Sequence, residues 1–424
     1  MSESALVNAD EGSRFASSRG TPQLTAMAWR NVRRTSRRTW LAAGGIAFAV
    51  FLLTLILSIQ IGAFTGAVDN AARIMLGHIQ LQHPHYQDDP SIENRVTGIR
   101  SIIEDVEARP GVETASARAM SFALTSSGER SYGAQIMGVE YQKESKWSAL
   151  PAMQLEGRYL AGPGEALIGS ALARNLGLAV GDELVILGTA VEGGVAALVS
   201  RVVGTYTTGQ PDLDRAIVQV PLGDFQAAWN LSADEAHSII IITDSVTRSE
   251  ELAPSLSRAD LRSLGWRDLQ PEIAQTMELK LVGVYVMFVL VAIIVIFSIV
   301  NSFMMVIFER TQEFGMLMAV GMRRRDIIMQ LQIEAFLVWL LGAAVGLAIT
   351  GVLLAILIDQ GIPLPPQADD LMKLFSMPSR IYPVFEPNGL YALPIMLIGT
   401  QIAALIPGLR LLGMKPVAAL RPSE

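Results

Sequence analysis

From Leu281 to Phe308 there are 28 consecutive residues without a charged side chain. A helix of about 20 apolar residues crosses a bilayer, and a charge at its centre costs several kcal/mol. A run this long reads as a membrane span with turns to spare, the excess projecting beyond the hydrocarbon as a stalk. Three further runs are charge-free: Trp40 to Phe64, Ala335 to Ile358 and Leu390 to Leu409. The first lies between Arg38 and Asp69, too long for a signal-peptide core, and no convincing small-x-small cleavage site follows it. It reads as an uncleaved span. With 51% hydrophobic and 17% charged residues, the chain is too apolar for an ordinary soluble enzyme. The sequence therefore predicts an α-helical membrane protein with four transmembrane helices plus a large mixed α/β extracytoplasmic domain inserted between helices 1 and 2.

The expected segments are a tail and basic amphipathic helix (1–39), span 1 (40–64), the domain (65–280), span 2 (281–308) and a connector (309–334). Span 3 (335–358), a linker (359–389), span 4 (390–409) and a short C-terminus (410–424) complete the chain. Arg30, Arg33, Arg34, Arg37 and Arg38 alternate with Met27, Trp29 and Val32. That spacing suits a helix lying in the membrane interface, and equally a basic flank marking the inner side. Span 3 carries Gly342, Gly346 and Gly351; the first two form a GxxxG pair that admits a neighbouring helix. Span 4 contains Pro394 and Pro407, so a kink or an early end is expected. The linker is rich in proline and acidic on balance, with a short amphipathic helix expected near Leu371 to Phe375.

Between Asp69 and Lys280 there are 28 acidic and 17 basic residues, a net charge of −11. Basic residues flank span 1, fill the connector as Arg323, Arg324 and Arg325, and follow span 4 as Arg410, Lys415 and Arg421. By the positive-inside rule both termini and the connector are cytoplasmic, and the domain and linker lie outside. Such a chain is a multi-pass membrane protein. Within the domain, strand patterning appears at Glu183–Leu187, Ala197–Val203, Ala216–Val220 and His237–Ile242, and helical patterning at Ser101–Ala108, Glu165–Leu176 and Glu250–Leu264.

The chemistry the sequence lacks narrows its function. It has no cysteine, no Walker A pattern, no GxSxG elbow and no HExxH pair. Net charge −7 argues against a nucleic-acid partner. The spans hold almost no ionisable residue, so no proton or ion relay runs through them. His78, His83 and His85 lie close together, but they read better as solvated positions on a strand leaving the membrane than as metal ligands. No bound cofactor or metal is expected. An exporter built this way takes its energy from another subunit.

The connector supplies a means. Span 2 continuing as a helix would bring Glu309, Gln312 and Glu313 out at its inner end. Gly315 permits a turn, Met316 to Val320 form a short apolar helix, and Gly321 suits a C-cap of positive φ. That helix could fill a groove on a cytoplasmic partner; an ordinary helical hairpin is the plain alternative.

The segment ERTQEFGMLMAVGMRRRDI (Glu309 to Ile327) resembles the connector of the MacB-like permease family, which includes lipoprotein-releasing LolC/LolE-type permeases and FtsX-type proteins. Glu309, Arg310, Glu313, Gly315, Ala319, Gly321 and Ile327 match its pattern. Phe314 replaces the usual small aliphatic residue and Met322 the usual small one. Glu334, the ending from Pro416 to Pro422, Ala28-Trp29-Arg30-Asn31, Glu165 to Gly169, Leu176-Gly177-Leu178 and Gly181-Asp182 match as well. The resemblance is to unfused, non-catalytic permeases. It implies a cytoplasmic ABC ATPase dimer docked on the connector through Glu309, Arg310, Glu313, Phe314, Gly315, Met318, Ala319, Gly321 and Arg323. It also implies a second permease subunit, identical or paralogous, with surrounding membrane lipid and a periplasmic adaptor or lipoprotein carrier. Release of lipoprotein or other hydrophobic cargo is the favoured expectation, with a lipid anchor gaining lateral access near Phe64, Val68, Met277 and Val284. Tripartite efflux and FtsX-type signalling to a cell-wall hydrolase are the alternatives.

Overall fold

The computed structural model describes residues 25, 27, 28, 30, 36–365, 380–385 and 390–410. They divide into two compact units, one drawn from 1–61, 279–361 and 382–424 and the other from 62–278 and 362–381. Helix α1 is Ser36–Ala71, prolonged by a π-helical turn, Ala72–Leu76; its residues up to 61 belong to the first unit and those from 62 to the second.

The α/β unit follows. Its strands are β1 (Ile79–Gln82), β2 (Val96–Thr97), β3 (Val112–Ser127), β4 (Arg130–Val139), β5 (Gln154–Gly157), β6 (Glu165–Gly169), β7 (Glu183–Thr189), β8 (Val195–Thr207), β9 (Ile217–Pro221), β10 (Glu235–Ala236), β11 (Ser238–Thr243) and β12 (Arg262–Gly265). Its helices are α2 (Ile99–Glu107), α3 (Tyr141–Trp147), α4 (Ser170–Leu176), α5 (Pro211–Ala216), α6 (Leu222–Trp229), α7 (Val246–Leu256) and α8 (Trp266–Leu269). Then come α9 (Pro271–Glu309), α10 (Thr311–Ala319), α11 (Arg324–Gln360), the paired strands β13 (Ile362–Pro363) and β14 (Arg380–Ile381), and α12 (Ala392–Arg410).

Among the described residues four helices are long and apolar enough to cross a membrane: Thr39–Leu76, Pro271–Glu309, Arg324–Gln360 and Ala392–Leu409. Each extends beyond its charge-free run except the last. At 1.5 Å per residue, the 39 residues of α9 reach about 58 Å, nearly twice the hydrocarbon thickness. Pro407 lies within α12 without ending it. Pro394 falls in the first turn, where a missing N–H breaks no helical bond. Ala43, Ile46 and Val50 of α1, Ala292 and Ile299 of α9, Ala335 of α11 and Met396, Ala403 and Ala404 of α12 form the buried seam of this unit.

The α/β unit is built on a ten-stranded sheet in the order β12-β1-β11-β3-β4-β9-β6-β8-β5, with β7 pairing both β3 and β8. The pairs β4–β9 and β6–β8 are parallel and the rest antiparallel. The core lies between this sheet and the helices, with Trp229 and Phe225 of α6 stacked at 4.2 Å and both fully buried.

Two helices expected from the sequence are corrected. Glu165–Leu176 is a strand followed by a helix: Glu165–Gly169 forms β6, in the sheet interior between β8 and β9. A short apolar run buried on both faces has no alternation to distinguish it from a helix. Glu165 at its head accepts bonds from Arg158 and from the Ala161 and Gly162 N–H groups. The Arg158 bond holds its carboxyl well down, at about 2, shaping the loop before the strand. Glu250–Leu264 likewise divides into α7, capped by the Ser245 side chain, and β12, which pairs with β1.

The histidines also differ from expectation. His78 is fully buried rather than solvated: its Nδ1 accepts from the Thr243 N–H at 3.1 Å and its Nε2 lies 3.2 Å from Asp69 Oδ1. His83 and His85 lie beyond β1, partly and fully exposed. Of the basic flank, Thr25, Met27, Ala28 and Arg30 are described, all helical, and Ser36 to Thr39, with Arg37 and Arg38, form the start of α1. The rest of that flank, the expected helix near Leu371 to Phe375 and the C-terminus after Arg410 lie outside the described residues.

Candidate functional site

The connector departs from the expected layout by one turn. α9 ends at Glu309, Arg310 leaves helical geometry at φ −99° and ψ 11°, and α10 then runs unbroken through Gly315. The turn expected at Gly315 is therefore at Arg310. A glycine inside a helix costs about 1 kcal/mol, whereas burying a phenylalanine recovers roughly 1.5–3 kcal/mol. Phe314, next to Gly315, is 1% exposed, packed among Ile307, Ile327 and Leu331, so the helix continues.

Arg310 joins the three helices that meet here. Its Nε donates to Glu313 Oε2 at 2.9 Å and its Nη1 to Glu334 Oε1 at 3.4 Å, while its guanidinium lies 5.4 Å from the Phe314 ring. Gln330, 2% exposed, adds a bond from Nε2 to the same Glu334 oxygen at 3.3 Å. Arginine suits the place because its planar fork serves two carboxylates at once. The Glu-Arg-x-x-Glu spacing is thus an internal clamp.

The residues singled out from sequence fall into two sets. Phe314 and Gly315 are buried and Met318 packs on the same cluster, so their contribution is to hold α10. Met316 and Val320, four residues apart, are 54% and 77% exposed, and Ala319, Gly321, Arg323 and Glu309 are exposed as well. Gly321 has φ +95°, a conformation costly for any side chain, and Arg323 takes the N-cap position of α11. The outward face is apolar, bordered by Arg323, Arg324 and Arg325.

Gly342 and Gly346 face α1. A Cβ at Gly342 would meet the Ala43 carbonyl oxygen at 2.6 Å, and one at Gly346 would meet that of Ala47 at 2.6 Å. Gly351 has nothing within 4 Å of a Cβ, so it takes no part in this contact. A second close approach was not anticipated: a Cβ at Gly399 of α12 would come within 2.3 Å of Ile296 on α9. Gly399 and Ala403 form a small-x-x-x-small pair that could have signalled it.

The residues proposed for lateral access separate too. Val68 and Met277 pack with Val246, Trp266 and Ala274 in a closed cluster, and Phe64 is 8% exposed. Val284 instead lines an apolar cavity of about 170 Å³ between Leu53, Ile56 and Leu57 of α1, Tyr285, Met287 and Phe288 of α9, and Tyr391, Ala392, Pro394 and Ile395 at the start of α12. Among the described residues no charged side chain lines the cavity.

Residues 39–259 match the MacB-like periplasmic core domain and residues 285–416 match the FtsX-like permease C-terminal domain. Together these cover most of the chain. It belongs to the MacB-like/FtsX-like ABC permease family. Curated relatives share only part of it. The macrolide export ATP-binding/permease protein MacB of Escherichia coli is 48% identical over 65 residues, 15% of this chain and 10% of that protein. MacB 1 of Yersinia pestis bv. Antiqua (strain Antiqua) is 36% identical over 102 residues, 24% of this chain and 15% of its own. The chain thus aligns with a tenth to a seventh of the length of these relatives. Among solved structures, the periplasmic region of MacB from Actinobacillus actinomycetemcomitans is similar at 13% identity and TM-score 0.34, covering 48% of this chain and 94% of that one. The extracellular domain of the ABC-type transporter YknZ gives 15% identity and TM-score 0.33, covering 44% and 99%.

Proposed function

We propose that this permease is the membrane subunit of an exporter that draws its energy from a separate ATPase through α10, and that its cargo is a lipoprotein or another hydrophobic molecule. The observation that carries the coupling is the exposed Met316–Val320 face on a helix held from behind by Phe314 and Arg310. Two methyl-rich side chains at helical spacing, with arginines at the rim, suit an apolar groove on a protein with an acidic border. A dimer of ATPase subunits would bind ATP-Mg, and two permease subunits, identical or paralogous, would present two such helices. The 39-residue α9 is one uninterrupted helix from Pro271 to Glu309, a rod suited to carrying displacement from the inner side to the extracytoplasmic domain. Cargo then need not cross the bilayer. The uncharged cavity at Val284 favours an apolar occupant.

Both termini and the connector would be cytoplasmic, the side that the arginine distribution favours. Small-molecule efflux through a periplasmic adaptor is the second reading; the local 48% identity to a protein described as a macrolide exporter favours it.

The test is purification from the native membrane in mild detergent, with every co-purifying chain identified. A stoichiometric ATPase supports the exporter, a lipoprotein with it fixes the cargo class, and an adaptor in its place favours efflux. Met316→Asp/Val320→Asp, Gly321→Pro and Glu313→Arg should each insert normally but lose transport-coupled ATP hydrolysis. Absence of any ATPase, or unchanged coupling in all three variants, would sink the proposal and leave a tethered signalling module.

A further inference from the structure

The last carbonyls of a helix have no partner within it. At the outer end of α1, groups elsewhere in the α/β unit take them up. The Ala72 carbonyl accepts from Gly77 N–H at 2.8 Å, the bond that defines the π turn. The Arg73 carbonyl accepts from Ala149 N–H at 2.9 Å and the Leu76 carbonyl from Gln80 Nε2 at 2.6 Å. The Met75 carbonyl accepts from Nη1 of Arg118, a residue of β3 that is 2% exposed. Nη2 of Arg118 donates to Glu144 Oε2 at 3.0 Å, Nε donates to the other carboxylate oxygen, and the guanidinium lies 5.3 Å from the Trp147 ring. Glu144 is fully buried. Beyond the turn, Gly77 has φ +71°, and a Cβ there would come within 2.4 Å of Ile240.

A buried ion pair contributes little that a well-packed apolar pair could not, because its desolvation cancels its attraction. The Arg118–Glu144 pair does something an apolar pair cannot: it holds a charged donor on a helix carbonyl. A π turn is also an uncommon way to end a helix and is often found where function requires it.

We propose that Arg118, oriented by Glu144, is a positioning residue that locks the π-turn end of α1 to the sheet. The end of α1 that belongs to the α/β unit is then fixed on the sheet by a charged donor. That this lock is required for coupled transport rests on the function proposed above.

The experiment uses the full-length protein with its ATPase in lipid nanodiscs. Arg118→Met/Glu144→Met removes both charges and leaves neither stranded. Hydrogen exchange across residues 72–78 should quicken roughly ten- to hundredfold, the loss of one charge-assisted bond, while β11 exchanges as in the parent. Basal ATP hydrolysis should persist and its stimulation by cargo should fall. Arg118→Lys, which keeps the charge and loses the fork, should loosen the same segment less and carries the test if the double variant does not fold. Unchanged exchange at 72–78 would overturn the lock, and a loosened turn with full cargo stimulation would overturn its role in coupling. A parent complex without cargo stimulation would count against the exporter reading, and the exchange measurement then decides the lock by itself.

Discussion

Replacing Gly346 by alanine adds one methyl group where α11 lies against α1. The new Cβ would stand 2.6 Å from the Ala47 carbonyl oxygen and 3.1 Å from both Ala47 Cα and Val50 Cβ, whereas ordinary contact begins at 3.4 Å. The nearest obstructing atom is a backbone oxygen, which cannot rotate aside, so the helices must part by about 0.8 Å there (3.4 less 2.6). A radial gap of 0.5–1 Å forfeits roughly a quarter to a half of each dispersion contact. Neighbouring contacts at Gly342, Ala43 and Ile46 would loosen together, and overpacking of this kind costs about 1–3 kcal/mol. Reversible unfolding of the full-length protein in bicelles should show Gly346→Ala destabilised by that amount and Gly342→Ala by a similar one. Gly351→Ala is the control: its Cβ meets nothing within 4 Å, and alanine is the better helix former, so stability should hold or rise slightly. Equal losses at Gly351 and Gly346, or none at Gly346, would refute the argument that this glycine is selected by helix contact.

Phe314→Ala empties the cluster of Ile307, Ile327 and Leu331 and should cost about 3–5 kcal/mol locally, read as faster hydrogen exchange in α10 with the α/β unit unaffected. Arg310→Ala removes the cation beside the buried Glu334 carboxylate and should destabilise the connector by about 3 kcal/mol, with Arg310→Ala/Glu334→Gln recovering part; strict additivity in that cycle would dismiss the clamp. His237 is buried, its Nδ1 accepting from Met120 N–H and its Nε2 facing the Ile92 carbonyl, and burial holds its pKa down at about 4. The folded protein therefore favours the neutral ring. Its full contribution is present above the ordinary pKa of about 6.5 and is lost as pH falls from there to about 4, some 3 kcal/mol in total. Denaturant melts of the full chain against pH should show this slope, and His237→Gln should flatten it.

The four apolar helices were legible because hydrocarbon admits no charge: absence of ionisable residues over a sufficient length settles the matter locally. Gly321 was legible for a similarly local reason, since a positive φ selects glycine whatever surrounds it. The connector of the family was visible in Glu309, Arg310, Glu313 and Gly315 as a pattern, but its meaning was not. That Arg310 rather than Gly315 breaks the helix depends on Glu334, 24 residues away, and on the pocket that receives Phe314.

The α/β unit shows the same division. Strands β7, β8, β9 and β11 carry enough branched and apolar residues to announce themselves, and α2 shows a clear apolar face. The long β3, rich in alanine and serine, has weak strand propensity and is fixed by its pairing with β4, β7 and β11. Arg118, the one basic residue among those small ones, gave no sign of its partner. Its burial requires Glu144 and the Met75 carbonyl, brought together only when the end of α1 meets the sheet. Short-range rules such as charge exclusion and backbone conformation were written in the sequence itself. Contacts between residues far apart, where burial makes polar groups depend on one another, were decided by the tertiary structure.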